Sequence, residues 1–136
     1  MGHEMENTDS VFSFGLPWED AVGYCQGLRV GTTLRISGQL SHDLEGNFLH
    51  IGDFEAQVRV AFENIDHVLA HFGARRDQII ETNVFLRDFR ENFATFGPLH
   101  KEYFGDYRPA SNAWGVTDLA LPDQLVEIAA HVDLTK

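Results

Sequence analysis

Residues 54–72 carry the clearest periodicity in the chain: Phe54, Val58, Ala61, Phe62, Ile65, Val68, Leu69 and Phe72 recur at helical spacing and form one apolar stripe. Asp53 stands where a helix N-cap belongs, and Gly73 where a left-handed terminating residue belongs. Alternation replaces that period in residues 79–87, a predicted strand whose Ile80, Thr82, Val84 and Leu86 share one face. Asp88 and Glu91 then show capping-box spacing and start a second helix, with Phe93, Phe96, Tyr103 and Phe104 on its apolar side. Gly97-Pro98 predicts a kink or a break inside it. Upstream, residues 11–23 read as loop, punctuated by Gly15, Pro17 and Gly23. Residues 24–30 and 33–37 read as two strands around a Gly31-Thr32 turn, and 38–52 as a polar loop turning at Gly46-Asn47. Residues 112–117 and 125–134 supply the last two strands.

The predicted order is β-β-α-β-α-β-β, an α+β pattern. In the last strand Val126, Ile128, Ala130, Val132 and Leu134 fall on one side, and Glu127, Ala129, His131 and Asp133 on the other. Two helices cover one face of such a sheet. The face left over carries Glu127, Phe85 and Trp114, a mixture that predicts burial against another copy of the chain.

Composition narrows the class. The 136 residues suit one domain, expected over 16–136 behind a flexible segment 1–15. Apolar residues make up 43%, enough for a packed core. No apolar run is long enough to cross a bilayer and no basic-then-apolar leader opens the chain, which predicts a soluble, cytoplasmic protein with no membrane partner. The lone Cys25 has no partner for an internal disulfide, in keeping with a reducing compartment. The formal net charge of −11, with scattered Lys and Arg, opposes a nucleic-acid partner. His67 and His71 have metal-pair spacing but no third ligand, and no glycine-rich phosphate loop is present, so neither metal nor organic cofactor is expected.

Ordered across nearly the whole chain are Gly23-Tyr24-Cys25-Gln26-Gly27, Ile36-Ser37-Gly38-Gln39, Gly52-Asp53-Phe54-Glu55-Ala56-Gln57, Thr82-Asn83-Val84-Phe85-Leu86-Arg87-Asp88, Arg108-Pro109-Ala110, Leu121-Pro122 and Val126-Glu127-Ile128. This set resembles the Rid/YjgF family, also labelled endoribonuclease L-PSP. The resemblance implies a chorismate-mutase-like fold, a homotrimer, and small-molecule sites in the clefts between subunits. It also implies hydrolysis of reactive imines and enamines to a 2-oxo acid and ammonia.

Carried over position by position, the resemblance makes Glu127 the residue that handles water, Tyr24 its catalytic companion and Ser37 a substrate contact. The arginine that holds a substrate carboxylate in that family is replaced by Ser111, and the asparagine of its second helix by Gly97. A serine offers one hydroxyl and no charge. Losing a charge-assisted hydrogen bond weakens binding roughly ten- to a hundredfold. The expected substrate is therefore less anionic or more apolar than a standard 2-imino acid. Trp114 stands near the missing cation and can line an apolar pocket. Arg108, three positions before Ser111, and Arg35, which shares strand parity with Ser37, are the candidates for an anion contact. Two other functions compete: a non-catalytic trimer that binds a small ligand, and a ribonuclease or translation inhibitor, which the acidic balance opposes.

Overall fold

The structure, a computed structural model, describes residues 10–136. Its elements are β1 (Val11–Phe12), α1 (Pro17–Val22), β2 (Gly27–Val30), β3 (Thr33–Gln39), α2 (Phe54–His71), a 3-10 turn (Arg76–Gln78), β4 (Ile79–Leu86), α3 (Phe89–Phe104), β5 (Ala110–Gly115) and β6 (Val126–Asp133). The strands form one mixed sheet in the order β1-β2-β3-β6-β4-β5. β6 lies antiparallel between β3 and β4, whereas β5 runs parallel to β4 at the far edge, after the crossover through α3.

The α+β class holds, with helices α2 and α3 on one face. Leu34, Ile36, Val84, Leu86, Val126, Ile128 and Val132 of the sheet pack against Val58, Ala61, Phe62, Ile65, Val68 and Leu69 of α2 and Phe96, Leu99 and Phe104 of α3. Fully burying one such aliphatic side chain is worth about 1.5–3 kcal/mol, so this layer dominates stability. The Asp53 carboxylate accepts from the Ala56 N–H at 3.1 Å, as an N-cap should, and Gly73 is left-handed at φ 65°. Among the described residues, no helix is long and apolar enough to cross a membrane.

Several elements differ from the expectation. Residues 11–23 are not loop: Val11 and Phe12 pair with Leu28 and Gly27, and a helical turn starts at Pro17. Of the segment 1–15, expected to be flexible, residues 1–9 lie outside the described residues, and Phe12 and Phe14 pack on the core. The strand expected over 24–30 begins at Gly27, because the Tyr24 N–H bonds the Glu19 carbonyl and belongs to the end of α1.

In β4 the buried face is Ile79, Thr82, Val84 and Leu86, with Ile80 displaced by an irregularity between Ile79 and Glu81. Helix α3 runs through Gly97-Pro98 unbroken. Pro98 is exposed, so water can satisfy the carbonyl its missing N–H leaves free. Asp88 does precede α3, but at φ 48° its carboxylate makes no capping bond.

Among the described residues, no helix lies over the opposite face of the sheet. Glu127, Phe85 and Trp114 lie there in one row across β6, β4 and β5, in register, and Trp114 is 53% exposed. Leu28 and Val30 of β2 are also exposed.

Candidate functional site

Glu127 is one of the outward residues of β6, and its neighbours make room for it. Across the sheet, β3 departs from regular pairing between Ile36 and Gln39, and Gly38 sits in that irregular stretch. A Cβ at position 38 would collide with the Glu127 carboxylate and come within 2.6 Å of Glu127 Cγ. The glycine is thus the seat on which the carboxylate rests.

Among the described residues the Glu127 carboxylate has one polar partner: the buried Gln124 amide donates to Oε1 at 3.3 Å. The same amide donates to the Val126 carbonyl, and its oxygen accepts from Leu121 N–H. Two further ties hold this loop. Gln57 of α2 donates to the Asp123 carbonyl and accepts from Leu125 N–H, and Arg87 donates to the Pro122 carbonyl at 2.6 Å. Burial pushes the pKa of Glu127 above the ordinary carboxylate value, and the single amide donor only partly opposes it.

A cavity of about 380 Å³ opens over this carboxylate, lined by Trp18 and Val22 of α1, Tyr24, Ser37, Gly38 and Leu40 of β3 and its flanks, and Ala120 and Leu121 of the tethered loop. Its walls are mainly apolar, and no lysine or arginine is among them. Tyr24 Oη accepts from Gln26 Nε2 at 3.3 Å. Burial raises the pKa of the phenol, so it is protonated at neutral pH. The Ser37 hydroxyl donates to the Cys25 carbonyl at 2.7 Å, which leaves its oxygen as an acceptor towards the cavity.

Three of the residues singled out in the sequence, Glu127, Tyr24 and Ser37, therefore meet in one cavity. The others do not join them within the chain. Arg35 is exposed on the same face as Ser37 but outside the lining, and Trp114 is separated from Glu127 by Phe85. Ser111 lies on the other side of the sheet: Thr82 Oγ1 donates to Ser111 Oγ at 2.8 Å and stands 2.9 Å from His100 Nε2. Arg108 lines a second cavity of about 290 Å³ with Gly97, His100, Lys101 and Tyr107. The placement of Ser111 follows from strand parity: Ser111 pairs with Thr82, which faces the helices, whereas Phe85 and Glu127 face away from them.

Sequence reasoning missed Gly38, Gln124, Trp18, Val22 and Leu121. Gly38 lay inside a quoted motif, but only the Cβ collision gives it a role. No group of three or more metal-ligating side chains occurs among the described residues.

The comparisons with known proteins bear on the family and the fold. The family model described as endoribonuclease L-PSP matches residues 18–133. The 3-aminoacrylate deaminase RutC of Acinetobacter baylyi is 33% identical over 111 residues, covering 80% of this chain and 86% of that protein. A 2-iminobutanoate/2-iminopropanoate deaminase of Dermatophagoides farinae is 30% identical over 96 residues, covering 71% and 74%. Among solved structures, Rv2704 of Mycobacterium tuberculosis, a member of the YjgF/YER057c/UK114 family, superposes with a TM-score of 0.80 at 29% identity, covering 90% of this chain and 97% of that one. With the sequence model, the relatives and the fold in agreement, the chain belongs to the endoribonuclease L-PSP family, the Rid/YjgF family of the resemblance.

Proposed function

We propose that the chain hydrolyses a small imine or enamine of low negative charge, in the cavity over Glu127. The observation that carries this reading is a carboxylate with a raised pKa at the floor of an otherwise apolar pocket. Such a group accepts a proton from water more readily near neutral pH than an ordinary exposed carboxylate. The carbon of a neutral imine is electrophilic, and a hydrogen bond donated to its nitrogen makes it more so, so the protein needs only to hold it and aim the water. Water attacks that carbon, Glu127 takes the water's proton, and the Tyr24 hydroxyl donates towards the nitrogen. Glu127 passes that proton to the nitrogen, and collapse of the resulting carbinolamine, whose hydroxyl proton reaches the departing nitrogen through the same carboxylate, breaks the C–N bond and releases ammonia and a carbonyl compound. The absence of lysine and arginine from the lining favours an uncharged, apolar substrate over a 2-imino acid. It likewise gives no support to RNA as a substrate.

The cavity is open on one side and adjoins the sheet face that no helix covers. In this reading a homotrimer of the chain closes it, so that the working site is a cleft between subunits in a cytoplasmic enzyme. The test is ammonia release from freshly generated imines, apolar and anionic, with wild type and Glu127→Gln. We expect acceleration with apolar imines and a loss of roughly 10²–10⁴-fold in the variant. Equal rates for buffer and wild type, or for wild type and variant, sink the proposal.

A further inference from the structure

Behind Tyr24 lies a buried polar frame that the hydrolytic mechanism leaves unused. Glu19 of α1 is buried, and its carboxylate accepts four hydrogen bonds: from the N–H groups of Phe14, Gly15 and Leu16 at 2.8–2.9 Å, and from Gln26 Nε2 at 3.0 Å. The backbone carbonyl of the same residue accepts from the N–H groups of Gly23 and Tyr24. Glu19 therefore fixes both the turn that leads into α1 and the turn that leads out of it to Tyr24. Burial alone would raise its pKa; the backbone donors and the Gln26 amide outweigh that, and the pKa lies below the ordinary value. At neutral pH it is therefore a carboxylate.

Gln26 is buried as well and has one possible orientation. Its Nε2 faces the Glu19 carboxylate and the Tyr24 hydroxyl, and its Oε1 accepts from Gln39 Nε2 at 2.8 Å. A flipped amide would set its oxygen against the carboxylate, so the amide hydrogens must point towards Glu19 and Tyr24. A hydroxyl that accepts from an amide keeps its own proton for another acceptor. For Tyr24 the free direction is the cavity, whose lining it shares with Glu127.

We propose that Glu19 and Gln26 are positioning residues: the charge of Glu19 orients the Gln26 amide, and that amide holds the Tyr24 hydroxyl as a hydrogen-bond donor into the cavity over Glu127. The inference rests on the hydrolase reading for its consequence in turnover, but the orientation itself is testable without a substrate. The frame also sets what the cavity recognises. Beside the Glu127 acceptor stands a donor, so a ligand must present an acceptor, such as an imine nitrogen or carbonyl oxygen, to Tyr24.

The experiment is an ultraviolet difference titration of tyrosine ionisation, with Tyr24→Phe identifying which step belongs to Tyr24. Burial, Glu19 and Glu127 all raise that step, whereas Gln26 and Trp18 lower it. Gln26→Leu removes a donor that stabilises the phenolate, so the Tyr24 step should move up by roughly half to one pH unit. If Gln26→Leu does not fold, Gln39→Leu loosens the same amide from behind and should move the step in the same direction by less. A Tyr24 step that stays put in the folded variant overturns the frame. If the step moves and kcat for an apolar imine falls roughly three- to tenfold at unchanged KM, both the frame and its role in turnover stand. If the step moves while neither wild type nor variant releases ammonia, the frame stands and the hydrolase reading falls.

Discussion

Two polar clusters lie on opposite sides of the sheet, and they handle burial in opposite ways. On the helix-covered side Thr82, His100 and Ser111 are neutral groups joined in a short hydrogen-bonded chain. Burial lowers the pKa of His100, which keeps the imidazole uncharged. On the uncovered side Glu127 is a carboxylate with one amide donor and no cation within its cavity. Its charge is tolerated rather than compensated. The first cluster satisfies itself and has little left to give a ligand except the outer Ser111 hydroxyl. The second leaves a strong acceptor facing an open space. A polar cluster becomes a candidate site through what remains unsatisfied, not through the number of polar groups it gathers.

After removal of the Glu127 charge itself, the largest expected effect in this comparison comes from a single methyl group. Gly38→Ala places a Cβ where the Glu127 carboxylate now rests, and the Glu127 side chain must move aside from Cγ outward. A shift of about 1 Å in a reacting group can cost about 10²-fold in rate, so kcat/KM for an apolar imine should fall by that order. The backbone at Gly38 is not in the left-handed region, so the change in stability should stay within about 1 kcal/mol. A denaturant melt paired with the ammonia assay checks both halves. Unchanged turnover in a stable variant would mean that the position of the carboxylate is irrelevant.

Position 111 offers the opposite manipulation, a charge added rather than an acid displaced. Within one chain Ser111 is turned away from Glu127, so the two can share a ligand only across an interface between copies. Ser111→Arg should then improve KM for an anionic 2-imino acid roughly tenfold, and leave KM for an apolar imine nearly unchanged. Steady-state kinetics on the two substrate types checks this. No gain for the anion would place the edge strand β5 outside the cavity of any neighbour.

Much of the fold could be read from the chain because its decisive elements repeat a period. The α2 stripe from Phe54 to Phe72 and the alternation of β6 each follow one spacing over many residues, and both are packed as that spacing predicts. Where the reading failed, one local contact overrode the pattern. Helix α1 was hidden by its Pro and Gly punctuation, although Pro17 at the first helical position and Glu19 two residues later are helix-start residues. The Gly97-Pro98 pair does not break α3, because the proline faces water. The site was legible only in part. Tyr24, Ser37 and Glu127 were reached through the family resemblance, and the structure brings them together. The roles of Gly38 and Gln124 depend on contacts across strands and loops that no local spacing encodes.

The smallest effect tests the physical basis of the contrast itself. Because Glu127 has a folded-state pKa above its unfolded value, it favours folding fully only below the unfolded pKa, and that contribution is lost as pH rises through the folded pKa. Glu127→Gln keeps the shape and removes the charge. The variant should match wild type in stability at pH values below the ordinary carboxylate range and exceed it at neutral pH, by something on the order of 1 kcal/mol. Glu19 predicts the reverse sign: its lowered pKa contributes stability above the unfolded value that is lost as pH falls through the folded one. Thermal melts of wild type and Glu127→Gln from acid to neutral pH should therefore diverge upward. Parallel curves would mean that the Glu127 carboxylate is solvated as well in the folded chain as in the unfolded one, and the distinction between the two sides of the sheet would lose its electrostatic meaning.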